Sequence, residues 1–380
     1  MKKIGVCIVI ILVTLSLVPS CKGEGGDIPL LPALFSGRSY HMGFTPFPSE
    51  AGSFPAMEFI YDAIGDNADL VAHHFDNGIP WDESLSGDPY PSNIQFDWDY
   101  RRTHTPAKHK VYVAVTPLDS DRDALAPEWT AVGDNQPLTH PWDGYAAANE
   151  FNHDDVKDAY LNYCRRVVDY FDPDYLAFGI EVNLLKHNTP AAWAAYLELH
   201  QHVYAALKAE YPRLPIMATL TGMDLLEGYT AVDHADQMAA LADVIDYTDY
   251  YAISLHPHLS AIIPDLVVPD DMFEELFSLS DKPPCITETS FLAETLTMID
   301  YPTYLAYGTP EKQRDYVNRL LSEADRLGLR FVVYFLVRDY DALWVQLGSP
   351  ENILKAWRDT GLYDENGNPR PALEAWRSRL

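Results

Sequence analysis

Eight short apolar or β-branched runs recur along the chain, each ending in polar or aromatic residues: Tyr40–Phe44, Leu70–Phe75, Lys110–Thr116, Tyr175–Glu181, Ile216–Leu220, Tyr250–Leu255, Cys285–Glu288 and Arg330–Leu336. Between them apolar residues fall three and four apart, as in Tyr160-Cys164-Val167-Phe171, Trp193-Tyr196-Leu199-Val203-Leu207 and Tyr316-Leu320-Ala324-Leu327. Strands that alternate with helices form parallel βαβ units. Eight such units predict a closed (β/α)8 TIM barrel. An open sheet usually has fewer strands and carries a glycine-rich phosphate loop after its first strand, and no such loop follows Tyr40–Phe44.

The N-terminus is read as a processing segment and not as part of the fold. Lys2 and Lys3 precede an apolar run from Ile4 to Thr14, which Pro19-Ser20 cuts off too early for a membrane span, so residues 1–20 are expected to be a signal peptide. Ser20 before Cys21 resembles the lipobox of bacterial lipoproteins, which implies lipidation of Cys21. The polar, glycine-rich residues 21–27 would be a flexible tether, and 28–380 one barrel domain without a second-domain linker. The expected location is extracytoplasmic, lipid-anchored to the cell envelope, with the lipid as the only membrane contact.

With 27 basic against 56 acidic residues the chain repels a phosphate backbone, so no nucleic-acid partner is expected. Cys164 and Cys285 sit within apolar patterns and read as buried free thiols. The long connections after the second and third runs, Phe75 to Lys110 and Pro117 to about Asn152, would emerge at the C-terminal face of the barrel and wall a cleft. Trp81, Trp98, Trp129 and Trp142 within them require a ligand or a packing partner. A turn from Gly361 leads to a last helix at Ala372 to Arg379, with Trp376 closing against the barrel.

The fourth and seventh runs carry the candidate chemistry. With a period of two, Ala177, Gly179 and Glu181 share one face, and Leu176, Phe178 and Ile180 the other; small residues suit the crowded interior, so Glu181 is expected to point inward. Glu288 ends an apolar run in the same way, where an unpaired buried charge would serve no structural end. Two carboxylates on one rim are what glycosidic cleavage needs, one to protonate the leaving oxygen and one to attack the anomeric carbon or activate water. Proximity is expected to separate their pKa values, leaving the acid protonated and the nucleophile charged.

Gly179-Ile180-Glu181-Val182-Asn183 resembles the acid/base segment after strand four of the clan A glycoside hydrolases, nearest to the Gly-Asn-Glu-Ile-Asn of the endo-β-1,4-galactanases. Ile286-Thr287-Glu288-Thr289-Ser290-Phe291 is similar to the clan's nucleophile segment, and Asp249 to Pro257 resembles its strand six. The resemblance covers strands four to eight. It implies a retaining glycoside hydrolase cleaving β-linked oligo- or polysaccharide outside the cell, with Glu181 as general acid/base, Glu288 as nucleophile, no cofactor and no metal. A monomer is expected. Asn183 or His256 would replace the clan's asparagine, whose position Ile180 takes; Trp344 matches the aromatic floor of the sugar subsite. His73 and His74 are expected to contact substrate. Two other readings stand beside this one. Ile180 could mark a non-catalytic glycan-binding barrel, and His73, His74, Asp76, His256 and His258 could mark a metal-dependent hydrolase, although the His-X-His that usually ends strand one is missing.

Overall fold

The computed structural model describes residues 38–260, 262–298 and 304–380. The signal segment, Cys21, the tether and the first residues of the domain lie outside them.

The barrel strands are β1 (His41–Phe44), β2 (Leu70–Phe75), β3 (Lys110–Val115), β4 (Tyr175–Ala177), β5 in two pieces (Ile216–Met217 and Thr219–Thr221), β6 (Tyr251–Leu255), β7 (Pro284–Thr289) and β8 (Phe331–Tyr334). All pair in parallel and in chain order, and β8 returns to β1 with His41 opposite Phe331. One piece of β5 bonds to β4 and the other to β6, so the ring closes across a break at Ala218. The fold is a (β/α)8 TIM barrel. The run Leu70–Phe75 coincides with its strand, whereas the run from Tyr175 stops being a strand at Ala177, four residues before Glu181.

Alternation along the strands separates two cores. Leu70, Ala72, Tyr112, Ala114, Ala252, Phe331 and Val333 fill the barrel interior, while Val71, Val113, Ile253 and Val332 pack against the helices. Gly43 on β1 is needed because a Cβ there would lie 2.4 Å from Leu70 Cδ2, inside the filled barrel. The helical spacings correspond to Asp154–Phe171, Trp193–Glu210 and Pro310–Leu327. The last helix, Pro371–Arg377, buries Trp376 against Phe44, ring centroids 4.9 Å apart, and its indole N–H donates to Asn67 O at 2.7 Å.

The connection after β2 carries helices Trp81–Ser86 and Ser92–His104; that after β3 carries a small hairpin, Glu128–Thr130 with Gly133–Gln136, and helix Trp142–Ala147. Their four tryptophans have packing partners. Trp81 stacks on Trp142 at 5.3 Å, Trp98 sits among Tyr90, Tyr170 and Phe171, and Trp129 faces Phe75. The insertions therefore continue the core between strands and helices onto the barrel rim. Cys164 and Cys285 are buried and free.

Candidate active site

A cavity of about 570 Å³ opens at the C-terminal ends of the strands, and Glu181, Glu288, His74, Asp76, Arg122 and His256 line it. Each strand supplies its residue differently. On β2 the alternation is regular, so Leu70 and Ala72 point inward and His74 follows them into the cavity. On β6, Ala252, Ser254 and His256 do the same.

The two glutamates do not follow the alternation. After Ala177 the chain bends: Gly179 turns toward the helix layer, where a Cβ would meet Val182 at 2.7 Å and the Tyr196 hydroxyl at 3.0 Å, and Ile180 turns into the barrel interior beside Ala177 and Met217. This corrects the expectation that Ile180 faces the helices and Gly179 the interior. Glu181 then adopts φ +51°, a left-handed conformation uncommon for a residue with a Cβ. The bend is fastened to β5: Glu181 N donates to Thr219 Oγ1 at 2.8 Å, Thr219 N to Gly179 O at 2.9 Å and Val182 N to Thr219 O at 3.0 Å. The break in β5 and the bend after β4 are thus one feature. On β7 the register against β6 slips between Ile286 and Glu288, which pairs with Ser254. A bulge of this kind re-aims a side chain, and Glu288 faces the cavity while Thr289, one residue on, bonds the Tyr316 hydroxyl of the helix layer at 2.6 Å.

Charged neighbours join the two carboxylates. Glu288 Oε2 is 4.0 Å from His74 Nδ1, His74 Nε2 is 3.5 Å from Asp76 Oδ2, and Arg122 Nη2 lies 3.5 Å from Asp76 Oδ2 and 3.6 Å from Glu181 Oε2. Arg122 is held by its own loop, where Nη1 donates to Asp119 O at 2.7 Å, and that loop is pinned by Asn188 and Thr189 from the segment just after Glu181. On the other side of Glu288, Oε1 is 3.9 Å from His256 Nε2. His256 Nδ1 lies 2.8 Å from Ser290 Oγ and 3.5 Å from the Trp357 indole nitrogen, which fixes the ring with Nε2 toward Glu288.

Burial sets the protonation balance. It pushes Glu288 up to about 7, opposed by the charge of His74 and increased by those of Glu181 and Asp76. For Asp76 burial acts the same way, but His74 and Arg122 overcome it and hold the carboxyl well below the usual range. Burial pulls the His74 imidazole down, yet Asp76 and Glu288 lift it above its ordinary value. His256 is kept neutral by burial and by His258. Burial thus raises the carboxyl of the expected nucleophile, Glu288, whose cationic neighbour His74 stands 4.0 Å off.

Other residues singled out in the sequence lie elsewhere. His73 is on the helix face of β2, fully buried, with Nε2 2.9 Å from Thr105 Oγ1 and its ring against Phe171. The alternation that brings His74 inward turns it away. Asn183 is consumed by the fold: Nδ2 donates to Thr221 Oγ1 at 2.8 Å and Gln237 Oε1 at 2.7 Å, and Oδ1 accepts from Thr221 N at 2.9 Å. Trp344 donates its indole N–H to Pro350 O and lies under Arg358, outside the cavity lining; Phe335, at the end of β8, and Trp357 line the cavity instead. The histidines do not converge as metal ligands. His258 Nδ1 lies 3.3 Å from Ser290 O, and the groups of acids with ligand spacing among the described residues, Glu294 with Asp339 and Asp359, and Asp339 with Asp341 and Glu365, contain no histidine. Arg122 was not anticipated. The signal available was its place as the one basic residue in the acidic loop Asp119–Asp123.

No protein-family profile matches the sequence, and no curated protein matches it. Solved structures do. The Ignisphaera aggregans GH53 catalytic domain is 16% identical, with a TM-score of 0.54, over 84% of this chain and 88% of that one. A GH5_18 protein from Streptomyces cattleya in complex with GlcNAc is 14% identical, TM-score 0.57, over 90% and 80%. A GH5_18 variant from Bifidobacterium longum subsp. longum in complex with Manb1-4GlcNAc is 14% identical, TM-score 0.56, over 89% and 77%. The likeness is that of the (β/α)8 barrel fold.

Proposed function

We propose that the chain is a retaining β-glycosidase acting on an oligo- or polysaccharide outside the cytoplasm, held at the cell envelope through a lipid on Cys21. The observation that carries this reading is the pair of carboxylates at the ends of β4 and β7, facing one cavity and joined through His74, Asp76 and Arg122. Likeness to solved glycoside hydrolase barrels supports it.

In the first step an ionised Glu288 attacks the anomeric carbon as the glycosidic C–O bond breaks, and Glu181 gives its proton to the departing oxygen. In the second, Glu181 takes a proton from water, whose oxygen displaces Glu288 from the sugar. His256 Nε2 and His74 Nδ1 flank the Glu288 oxygens, and the charge of His74 favours the carboxylate that must form before attack. Arg122 Nη2 stands 3.6 Å from Glu181 Oε2 and helps to hold that carboxylate in place. Neither Ile180 nor Asn183 offers the cavity an amide, so any hydrogen bond to a sugar hydroxyl beside Glu181 comes from other groups, with Arg122, Asp76 and His256 at hand.

The test is release of reducing ends from a panel of β-linked polysaccharides and oligosaccharides, with Glu288→Gln assayed alongside. Hydrolysis abolished in the variant, and a 2-fluoro glycoside found on Glu288 by peptide mass, are the expected results. Tight glycan binding with no product at high protein concentration would replace this reading with a non-catalytic binding protein.

A further inference from the structure

We infer that the cleft holds a second sugar-binding position on an aromatic shelf formed by Phe54, Phe96 and Tyr100, so that the substrate is an oligosaccharide gripped at a distance from the bond cleaved. The inference rests on the glycosidase reading and names the shape of its substrate.

Phe54 opens the first barrel helix, Phe54–Asn67, and Phe96 and Tyr100 belong to helix Ser92–His104 of the connection after β2. The three rings pack edge-on or tilted against one another, with centroids 6.4 Å apart for Phe54 and Phe96, 5.8 Å for Phe54 and Tyr100 and 6.3 Å for Phe96 and Tyr100. Phe54 and Phe96 are each 46% exposed. The portions of these rings left open to water gain nothing in stability, and they are open at the same point on two neighbouring helices.

Single exposed apolar residues are ordinary on protein surfaces. Here, however, the rings border the same cavity as Glu181 and Glu288. Polar groups lie beside them. Asp97 and Arg101 line that cavity, paired at 2.8 Å. Ring faces for C–H groups, with a carboxylate and a guanidinium beside them, match a pyranose, which has an apolar face and an equatorial belt of hydroxyls.

The experiment compares the unmodified chain with Phe96→Ala on β-1,3- and β-1,4-linked gluco-, manno- and galacto-oligosaccharides of two to five units, and on the 4-nitrophenyl glycoside of the corresponding single sugar. For the series that is hydrolysed, the unmodified chain is expected to prefer the longer members. Phe96→Ala should lower kcat/KM on them about tenfold, through KM, and leave the aryl glycoside within about twofold. Phe96→Trp should restore the preference. Equal loss on long and short substrates, or no loss on either, overturns the shelf. Absence of hydrolysis across the whole panel is instead the failure of the glycosidase reading. The shelf is then judged by calorimetric titration of both chains with the pentasaccharides: weaker binding to Phe96→Ala supports it, and equal or no binding overturns it.

Discussion

The ends of β4 and β7 deliver the same side chain to the same cavity by different means. Glu181 sits beyond its strand, on a bend with a left-handed residue tied to β5, and its nearest charged partner is Arg122 at 3.6 Å. Glu288 stays within its strand, turned by a slipped register, and its oxygens meet two imidazoles at 3.9 and 4.0 Å. One carboxylate is thus held by a guanidinium on a backbone that departs from the strand. The other stands beside two imidazoles and is raised by burial to about 7. A nucleophile raised to about 7 must lose its proton before it attacks, which ties the rate to pH through Glu288.

The most severe way to break the comparison is to neutralise each glutamate in turn. Glu288→Gln and Glu181→Gln should each lower kcat on a natural glycoside at least about a thousandfold. They should separate on a dinitrophenyl glycoside, whose leaving group needs no proton. There Glu181→Gln should keep rapid release of the phenol in a burst assay and be accelerated by azide, and Glu288→Gln should remain inactive. Equal inactivity on that substrate would remove the assignment of distinct roles.

A milder break targets the guanidinium. Arg122→Gln removes the partner of Glu181 and of Asp76, so kcat/KM should fall about ten- to a hundredfold, mainly through kcat. Glu288 would also lose a charge that lowers it, which moves the acid limb of the kcat/KM profile to higher pH. Thermal unfolding of the variant, followed by circular dichroism, separates this from loss of fold. An unchanged kcat would show that Arg122 does not act on Glu181.

The smallest effect sharpens the comparison. An ionised Glu288 is required for attack and its carboxyl is raised to about 7, so activity of the unmodified chain should decline below neutrality. His74, Asp76, Arg122, Glu181 and His256 all face it, and only the carboxylates among them raise it. Removing the Glu181 charge therefore lowers Glu288, and in Glu181→Gln the acid limb measured on the dinitrophenyl glycoside should move to lower pH. A limb that stays in place would mean that the two carboxylates do not sense each other.

Much of the barrel could be read before its coordinates. The eight runs, the helical spacings and both glutamates at run ends are local patterns, and regular alternation already held the answer for the paired histidines, because Leu70, Ala72 and His74 share a face lined with interior-type residues. Strict alternation places Glu181 in the cavity as well, but for a different reason from the real one. Phe178 to Glu181 no longer pair as a strand, and the bend makes Ile180 an interior residue. Asn183 and Trp344 were beyond any spacing rule, since each is turned by what it packs on, Gln237 and Thr221 for one and Arg358 for the other.

The sequence by itself determined a closed α/β barrel and the placement of two glutamates at strand ends, because hydrophobic period and strand length act over a few neighbouring residues. Only the tertiary structure decided which polar groups surround those glutamates, and which aromatic rings reach the cavity. Arg122 meets Glu181, and Trp357 meets His256, across chain separations that no local rule spans. Their directions are set by bends and loops whose hydrogen bonds go to distant strands, so the electrostatic character of each carboxylate exists only once the ring is closed.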